Sequence, residues 1–243
     1  MIKEKDIQIQ KTKLILEEAL EKLSNKYDFD FEIINMMNIK KEYHSNNEKY
    51  LSVLSCSEID YLEKQKNEKR KIQWIAGRYA VKSALFKYKI RENSLLMNLS
   101  SINVLKDNNS APYIAQYPDI NCTISHSYPF CIAVVSRKNI GIDIEKIFLP
   151  ETSLVNYYFN KKEKEVLKDF ENAEEYSRKA IVSWTRKEAV SKVLRLGMKM
   201  DFKNLDTTED KVYNDYIENG VINLDSFCCD TFCMSVAVAD TDE

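Results

Sequence analysis

Long apolar runs are missing from this 243-residue chain. None approaches the ~18 residues that a membrane-spanning helix requires, so no membrane role is expected. An excess of charge is missing as well. With 36 Lys and Arg against 38 Asp and Glu, the formal net charge is −2 and the pI is near 5.9. That balance argues against a nucleic-acid binder working through a large basic surface. The amino terminus, Met1 to Asp6, has mixed charge and no apolar core segment. No signal peptide is expected there, and a cytoplasmic protein is. None of the six cysteines, Cys56, Cys122, Cys131, Cys228, Cys229 and Cys233, forms a Cys-x-x-Cys pair at zinc spacing. Several lie in apolar strand-like segments, where a cysteine acts as a small hydrophobe.

What is present is an ordinary globular composition, 44% hydrophobic and 30% charged. The length allows one large domain or two small ones. Apolar residues between Asp6 and Lys26 are spaced for an amphipathic helix, and Asp28 to Lys40 reads as a first strand. Ser55 with Glu58 three positions on has the pattern of a capping box, and a long helix is predicted from about Ile72 to Lys89. Ile102–Leu105, Tyr113–Ala115, Asn121–Ile124 and Phe130–Ser136 read as strands.

The second half repeats this programme. Leu54 and Phe159, Glu58 and Glu163, Leu62 and Leu167, Tyr79 and Trp184, and Lys82 and Lys187 all lie 105 positions apart, as from 58 to 163. Phe130 to Val134 matches Phe232 to Val236 at an offset of 102. The expected fold is therefore α+β, a pseudo-dimer of two similar α+β halves. Its boundaries are a helical extension at 1–28, a first half at 29–138 and a second half at 139–243.

Chemistry concentrates in the second half. In Gly141-Ile142-Asp143-Ile144-Glu145, period-2 alternation puts both carboxylates on one face of a strand. Two such groups are costly to hold together without a cation between them. Glu188 lies in a helical pattern with Lys192 at i+4 on its face. Seen alone, the Asp-x-Glu is a solvated edge, Glu188 with Lys192 a surface pair, and Ser125-His126-Ser127 a turn. Together they suggest a magnesium site that handles phosphates. Subtracting 105 maps Asp143, Glu145 and Glu188 onto Asn38, Lys40 and Ser83. The first half would then carry none of the three acids, and one active site is expected at the interface of the halves.

Ile124-Ser125-His126-Ser127, Gly141 to Lys146, Phe159 with Glu163, and Trp184-Thr185-Arg186-Lys187-Glu188-Ala189 with Lys192 resemble the 4′-phosphopantetheinyl transferases. The likeness is to the two-half, surfactin-synthetase-activating subfamily, and it covers Leu54 to the carboxyl end. Ile75 to Ala84 is also similar to a segment of the small trimeric carrier-protein synthases, with Ser83 where they have a glutamate. The resemblance implies transfer of the phosphopantetheine arm of coenzyme A to a serine of an apo acyl or peptidyl carrier protein. It implies Mg²⁺ on Asp143, Glu145 and Glu188, with Glu188 as base, directly or through metal-bound water, and Lys192 on the phosphates or the leaving group. It implies Ser125, His126 and Arg78 as coenzyme contacts.

Three departures stand out. Ala111 replaces a basic residue, Leu194 to Met198 keeps one glycine, and Tyr128 follows Ser-His-Ser where glycine is common. Arg186, Lys187, Lys192, Arg195, Lys199 and Lys203 form an expected basic surface for an acidic carrier helix. A monomer is expected, since duplication supplies the two-subunit interface. The rival readings are a metal-dependent phosphohydrolase and a non-catalytic carrier-binding relative.

Overall fold

The computed structural model describes residues 2–45, 49–94, 98–170, 172–213 and 220–240. The chain divides into two compact units, Met1–Arg137 and Lys138–Glu243.

The first unit begins with α1 (Ile2–Tyr27), which buries Leu16 and Leu20. Strand β1 (Asp30–Asn35) follows and runs directly into α2 (Met36–His44). The alternation that predicts a strand as far as Lys40 is overridden at Asn35. Its side chain accepts from the Met37 amide at 2.9 Å, and Met36 and Ile39 are buried at helical spacing. Helix α3 (Cys56–Lys64) opens with the expected capping box, and α4 (Glu68–Arg91) is the long helix. A small hairpin, β2 (Val104–Lys106) with β3 (Pro112–Ile114), precedes β4 (Asn121–Ser127) and β5 (Phe130–Ser136). The antiparallel sheet has the order β1–β5–β4, and α4 packs on β1 and β5. Every residue of β5 is buried, as its unbroken apolar character requires.

The second unit contains β6 (Ile140–Lys146), α5 (Thr152–Tyr158), α6 (Lys161–Lys168) and α7 (Ala173–Val193). Strands β7 (Lys211–Tyr213), β8 (Val221–Cys228) and β9 (Phe232–Ala239) complete it. The sheet order is β6–β9–β8–β7, with α7 on β6 and β9.

The repeat reaches into the buried polar contacts. Lys82 on α4 meets Glu58 at 2.6 Å, and Lys187 on α7 meets Glu163 at 2.9 Å, with all four side chains essentially inaccessible. Each glutamate also closes the capping box of its short helix. Each lysine donates to backbone carbonyls as well, Lys82 to Val53 at 2.6 Å and Lys187 to Phe202 at 2.6 Å and Leu205 at 2.5 Å. Burial pushes both ammonium groups down, with the paired glutamates opposing it. The pairs lock the short helix, the long helix and an adjoining loop of each unit together, the loop before α3 in the first unit and that after α7 in the second.

Two expectations are corrected here. Lys187 is buried in this lock, and Arg186 is turned inward, donating to Ser226 Oγ at 2.9 Å, the Thr207 carbonyl at 3.0 Å and Asp210 at 2.6 Å. Neither belongs to a carrier-facing surface, which leaves Lys199 and Lys203 exposed. The reading of the cysteines as small hydrophobes fails for Cys228 and Cys233, which form a disulfide. They sit directly opposite each other on β8 and β9 with Cα atoms 4.1 Å apart, a register that spacing along the chain does not reveal.

Candidate active site

Asp143 and Glu145 stand on β6, whose isoleucines 142 and 144 are fully buried. Asp143 is itself 4% exposed, and Glu145 is half-buried. Helix α7 lies unusually close to this strand. A Cβ on Gly141 would sit 2.0 Å from the Ala189 carbonyl oxygen, a backbone atom that cannot swing away. Glycine at 141 is therefore what lets the face of α7 bearing Glu188 and Lys192 reach the carboxylates. Beneath it, Thr185 shares a hydrogen bond with Ser235 at 2.8 Å, and Ser235 with Ser226 at 2.9 Å. Ser235 is the cross-strand partner of Asp143. This polar row fixes the rotation of α7.

The site's electrostatics follow. Lys192 donates to Asp143 Oδ1 at 2.8 Å and to the Ile142 carbonyl at 2.8 Å. Glu188 has its carboxyl raised to about 7, by burial first and then by Asp143, with Lys192 opposing and Glu145 adding. The structure thus brings Asp143, Glu145, Glu188 and Lys192 into one electrostatic cluster. Among the described residues, no three His, Cys, Asp or Glu side chains form a ready-made metal cage. Magnesium does not need one, since it is commonly held through one or two carboxylates together with phosphate oxygens and water. An all-oxygen donor set, with one carboxyl raised by burial and then by its acidic neighbours, suits such a cation.

Strand pairing corrects the mapping of these acids onto the first unit. Asp143 pairs with Ser235, and Glu32 pairs with Ala133. Since β5 and β9 are related by 102 positions, from 133 to 235, the counterpart of Asp143 is Glu32 and that of Glu145 is Ile34. Asn38 and Lys40 lie on α2 instead. The first unit keeps one of the three acids, with Ile34 and Ser83 in place of the others. Lys87, the counterpart of Lys192 at 105 positions, bridges Glu32 at 2.8 Å and donates to the Phe31 carbonyl at 3.0 Å. The offset misplaces the strand because β1 enters its unit at a different distance from α4 than β6 does from α7.

Arg78 and His126 line a cleft of about 330 Å³ in the first unit, together with Tyr61, Trp74, Arg70 and Lys106. Ser125 does not join them. Consecutive residues of β4 face opposite ways, so His126 shares the cleft side with Ile124 while Ser125 is buried on the other. The Ser-His-Ser segment is strand rather than turn. Sequence reasoning missed Tyr61, Trp74 and Lys106. The i,i+4 spacing of Trp74 and Arg78 was the available signal.

Two copies of one α+β unit make up the chain, and one of them brings three carboxylates and a lysine together. A sequence profile of the 4′-phosphopantetheinyl transferase superfamily matches residues 32–135 and again 139–237. The chain belongs to that superfamily. The holo-[acyl-carrier-protein] synthase of Acholeplasma laidlawii is 33% identical over 87 residues, 34% of this chain and 73% of that protein. Among solved structures, the holo-(acyl-carrier-protein) synthase of Bacillus anthracis, in complex with CoA (3′,5′-ADP), aligns at 23% identity with a TM-score of 0.37. The alignment covers 44% of this chain and 91% of that one. The Helicobacter pylori holo-[acyl-carrier-protein] synthase in complex with coenzyme A aligns at 26% identity and a TM-score of 0.35, covering 44% and 96%.

Proposed function

We propose that this protein transfers the 4′-phosphopantetheine arm of coenzyme A to a serine hydroxyl of an apo acyl or peptidyl carrier protein, releasing adenosine 3′,5′-bisphosphate. The reading includes dependence on Mg²⁺ and action as a cytoplasmic monomer. The observation that carries it is Lys192 meeting Asp143 at 2.8 Å beside Glu145 and Glu188, in a chain of this superfamily.

In the reaction the carrier serine oxygen attacks the β-phosphorus of the coenzyme's pyrophosphate, and the bond to the departing adenylate-side oxygen breaks. Glu188 accepts the serine proton, directly or through a water. Without metal, burial first and then Asp143 hold that carboxyl at about 7. Lys192, already oriented by Asp143, places its ammonium where charge collects on the phosphates and the leaving oxygen. Asp143, Glu145 and Glu188 would hold Mg²⁺, which when bound supplies positive charge to neutralise phosphate oxygens. His126 and Arg78 hold a coenzyme phosphate in the first unit's cleft.

The same carboxylates could instead activate water, and product analysis separates the two chemistries. Adenosine 3′,5′-bisphosphate should form from coenzyme A only when an apo carrier is added. Release at an equal rate without carrier would make the protein a phosphohydrolase.

A further inference from the structure

The β8–β9 hairpin closes on a disulfide beside the acids of β6. Cys228 and Cys233 are cross-strand partners, and Cys233 is also the cross-strand partner of Glu145. Glu145, Cys233 and Cys228 therefore form one row over three strands, next to the row of Asp143, Ser235 and Ser226. Partners directly opposite each other share a face, and Ser235 bonds Thr185 of α7, so both rows lie on the side that α7 covers.

The turn that the disulfide closes is tied on two sides. Arg178 of α7 donates from Nη1 to the Cys229 carbonyl at 2.8 Å. The amide of Ile147, two residues past Glu145, donates to the Thr231 carbonyl at 2.8 Å. Cys233 Sγ also lies 3.8 Å from the Arg178 carbonyl oxygen. As part of a disulfide it has no hydrogen to give, but as a thiol it is within donating reach of that oxygen. The sulfur thus has two alternative partners, Cys228 or the helix backbone.

The bond is not a staple that the fold demands. It joins residues only 5 apart, and rings this short remove the least entropy from an unfolded chain. The repeat supplies an internal control. At the equivalent place the first unit pairs His126 with Cys131, and Cys131 packs there as a buried thiol. In the cytoplasm, where the proposed function places the chain, thiols are kept reduced and disulfides are mostly transient.

We propose that Cys228–Cys233 is a thiol-exchange site through which a dithiol reductant adjusts the hold of Glu145 on Mg²⁺. Cys228 is half-buried and Cys233 fully buried, so the incoming thiolate attacks the Cys228 sulfur. A mixed disulfide forms, and Cys233 leaves as a thiolate that takes up a proton. The second thiol of the reductant then displaces Cys228, so the protein gains two thiols as the dithiol becomes a disulfide. Strands β8 and β9 stay paired through their backbones, while the turn loses its cross-link and its grip on the segment after Glu145 slackens. The metal and the compartment come from the proposed function, and the proposal rests on it for those two; the exchange itself does not.

Dithiothreitol treatment of the full chain tests it, with alkylation of Cys228 and Cys233 read by peptide mass spectrometry. Amide exchange of Ile147 and calorimetric Mg²⁺ binding are measured before and after. Both cysteines are expected to become alkylated in the native protein, with the Ile147 amide exchanging about tenfold faster. Mg²⁺ is expected to bind about tenfold more weakly. Cys228→Ser should show the reduced values with or without dithiothreitol. A disulfide that resists dithiothreitol until the protein unfolds would overturn the proposal, as would Ile147 exchange and Mg²⁺ affinity that ignore the thiol state. If carriers are never modified but Ile147 exchange and Mg²⁺ binding follow the thiol state, the transfer reading fails and this site survives. If carriers are modified and Mg²⁺ binds equally in both states, this site alone fails.

Discussion

Lys192 meets Asp143 at 2.8 Å, and Lys87 meets Glu32 at the same 2.8 Å in the equivalent place of the first unit. Both lysines also donate to the carbonyl just before their acid. The bridge is thus common to both units, and it ties the long helix to the first strand of each. What differs is its surroundings. Only the second unit adds Glu145 and Glu188, where the first has Ile34 and Ser83.

Removing the two lysines should therefore give opposite results. Lys192→Ala is expected to lower transfer by about 100-fold or more, because a charge aimed at the reacting phosphates is lost. Lys87→Ala should leave transfer within about twofold. Its side chain is 50% exposed, so its loss should cost less than about 1 kcal/mol. Steady-state rates and melting curves of the two variants check both statements.

Glu188 makes stability depend on pH in a definite direction. Its folded value of about 7 lies above the ordinary 4.5, so the folded state favours the protonated carboxyl. That contribution is fully present below 4.5 and is lost as pH rises through 7. Glu188→Gln should remove the loss. In metal-free buffer it should melt higher than the parent at pH 8 by roughly 5 °C, reflecting about 2 kcal/mol after allowance for solvent screening of a half-buried group. At pH 4.5 the two should melt together.

The buried pairs should be intolerant of half-removal. Glu163→Gln leaves the Lys187 ammonium without its counter-charge in a site closed to water, a change expected to cost about 3 kcal/mol in urea unfolding. Glu58→Gln should cost a similar amount through Lys82. Replacing both partners of a pair by apolar residues should recover most of the loss.

Gly141→Ala adds one methyl group against the Ala189 carbonyl. Since the helix backbone must retreat, a cost of about 2 kcal/mol is expected, with transfer reduced further than stability alone explains. The chemical shift of the Lys192 ammonium, measured with and without the substitution, reports whether the bridge to Asp143 opens.

Much of this was legible in the sequence because the repeat is written in residues that do one job twice. Glu58 and Glu163, with Lys82 and Lys187, kept their spacing because a capping box and a buried pair constrain them together. The carboxylates of β6 were legible from alternation alone. Other features depend on what lies across space. The true counterpart of Asp143 needed the strand register, since β1 and β6 lie at different distances from the helices that follow them. Lys187 and Arg186 read as surface charges because burial of a paired cation leaves no mark in local pattern. The Cys228–Cys233 bond and the cleft around Trp74 likewise depend on neighbours that only the sheet and the α3–α4 packing bring together.

The central claim is tested most directly by mass spectrometry of apo acyl and peptidyl carrier proteins incubated with the protein, coenzyme A and Mg²⁺. The account predicts a mass gain of one phosphopantetheine arm on the carrier serine, lost with Asp143→Asn and with Glu188→Gln in proteins that remain folded. Carriers that stay unmodified while coenzyme A is cleaved to free phosphopantetheine, or full Mg²⁺-dependent modification by Asp143→Asn, would contradict it.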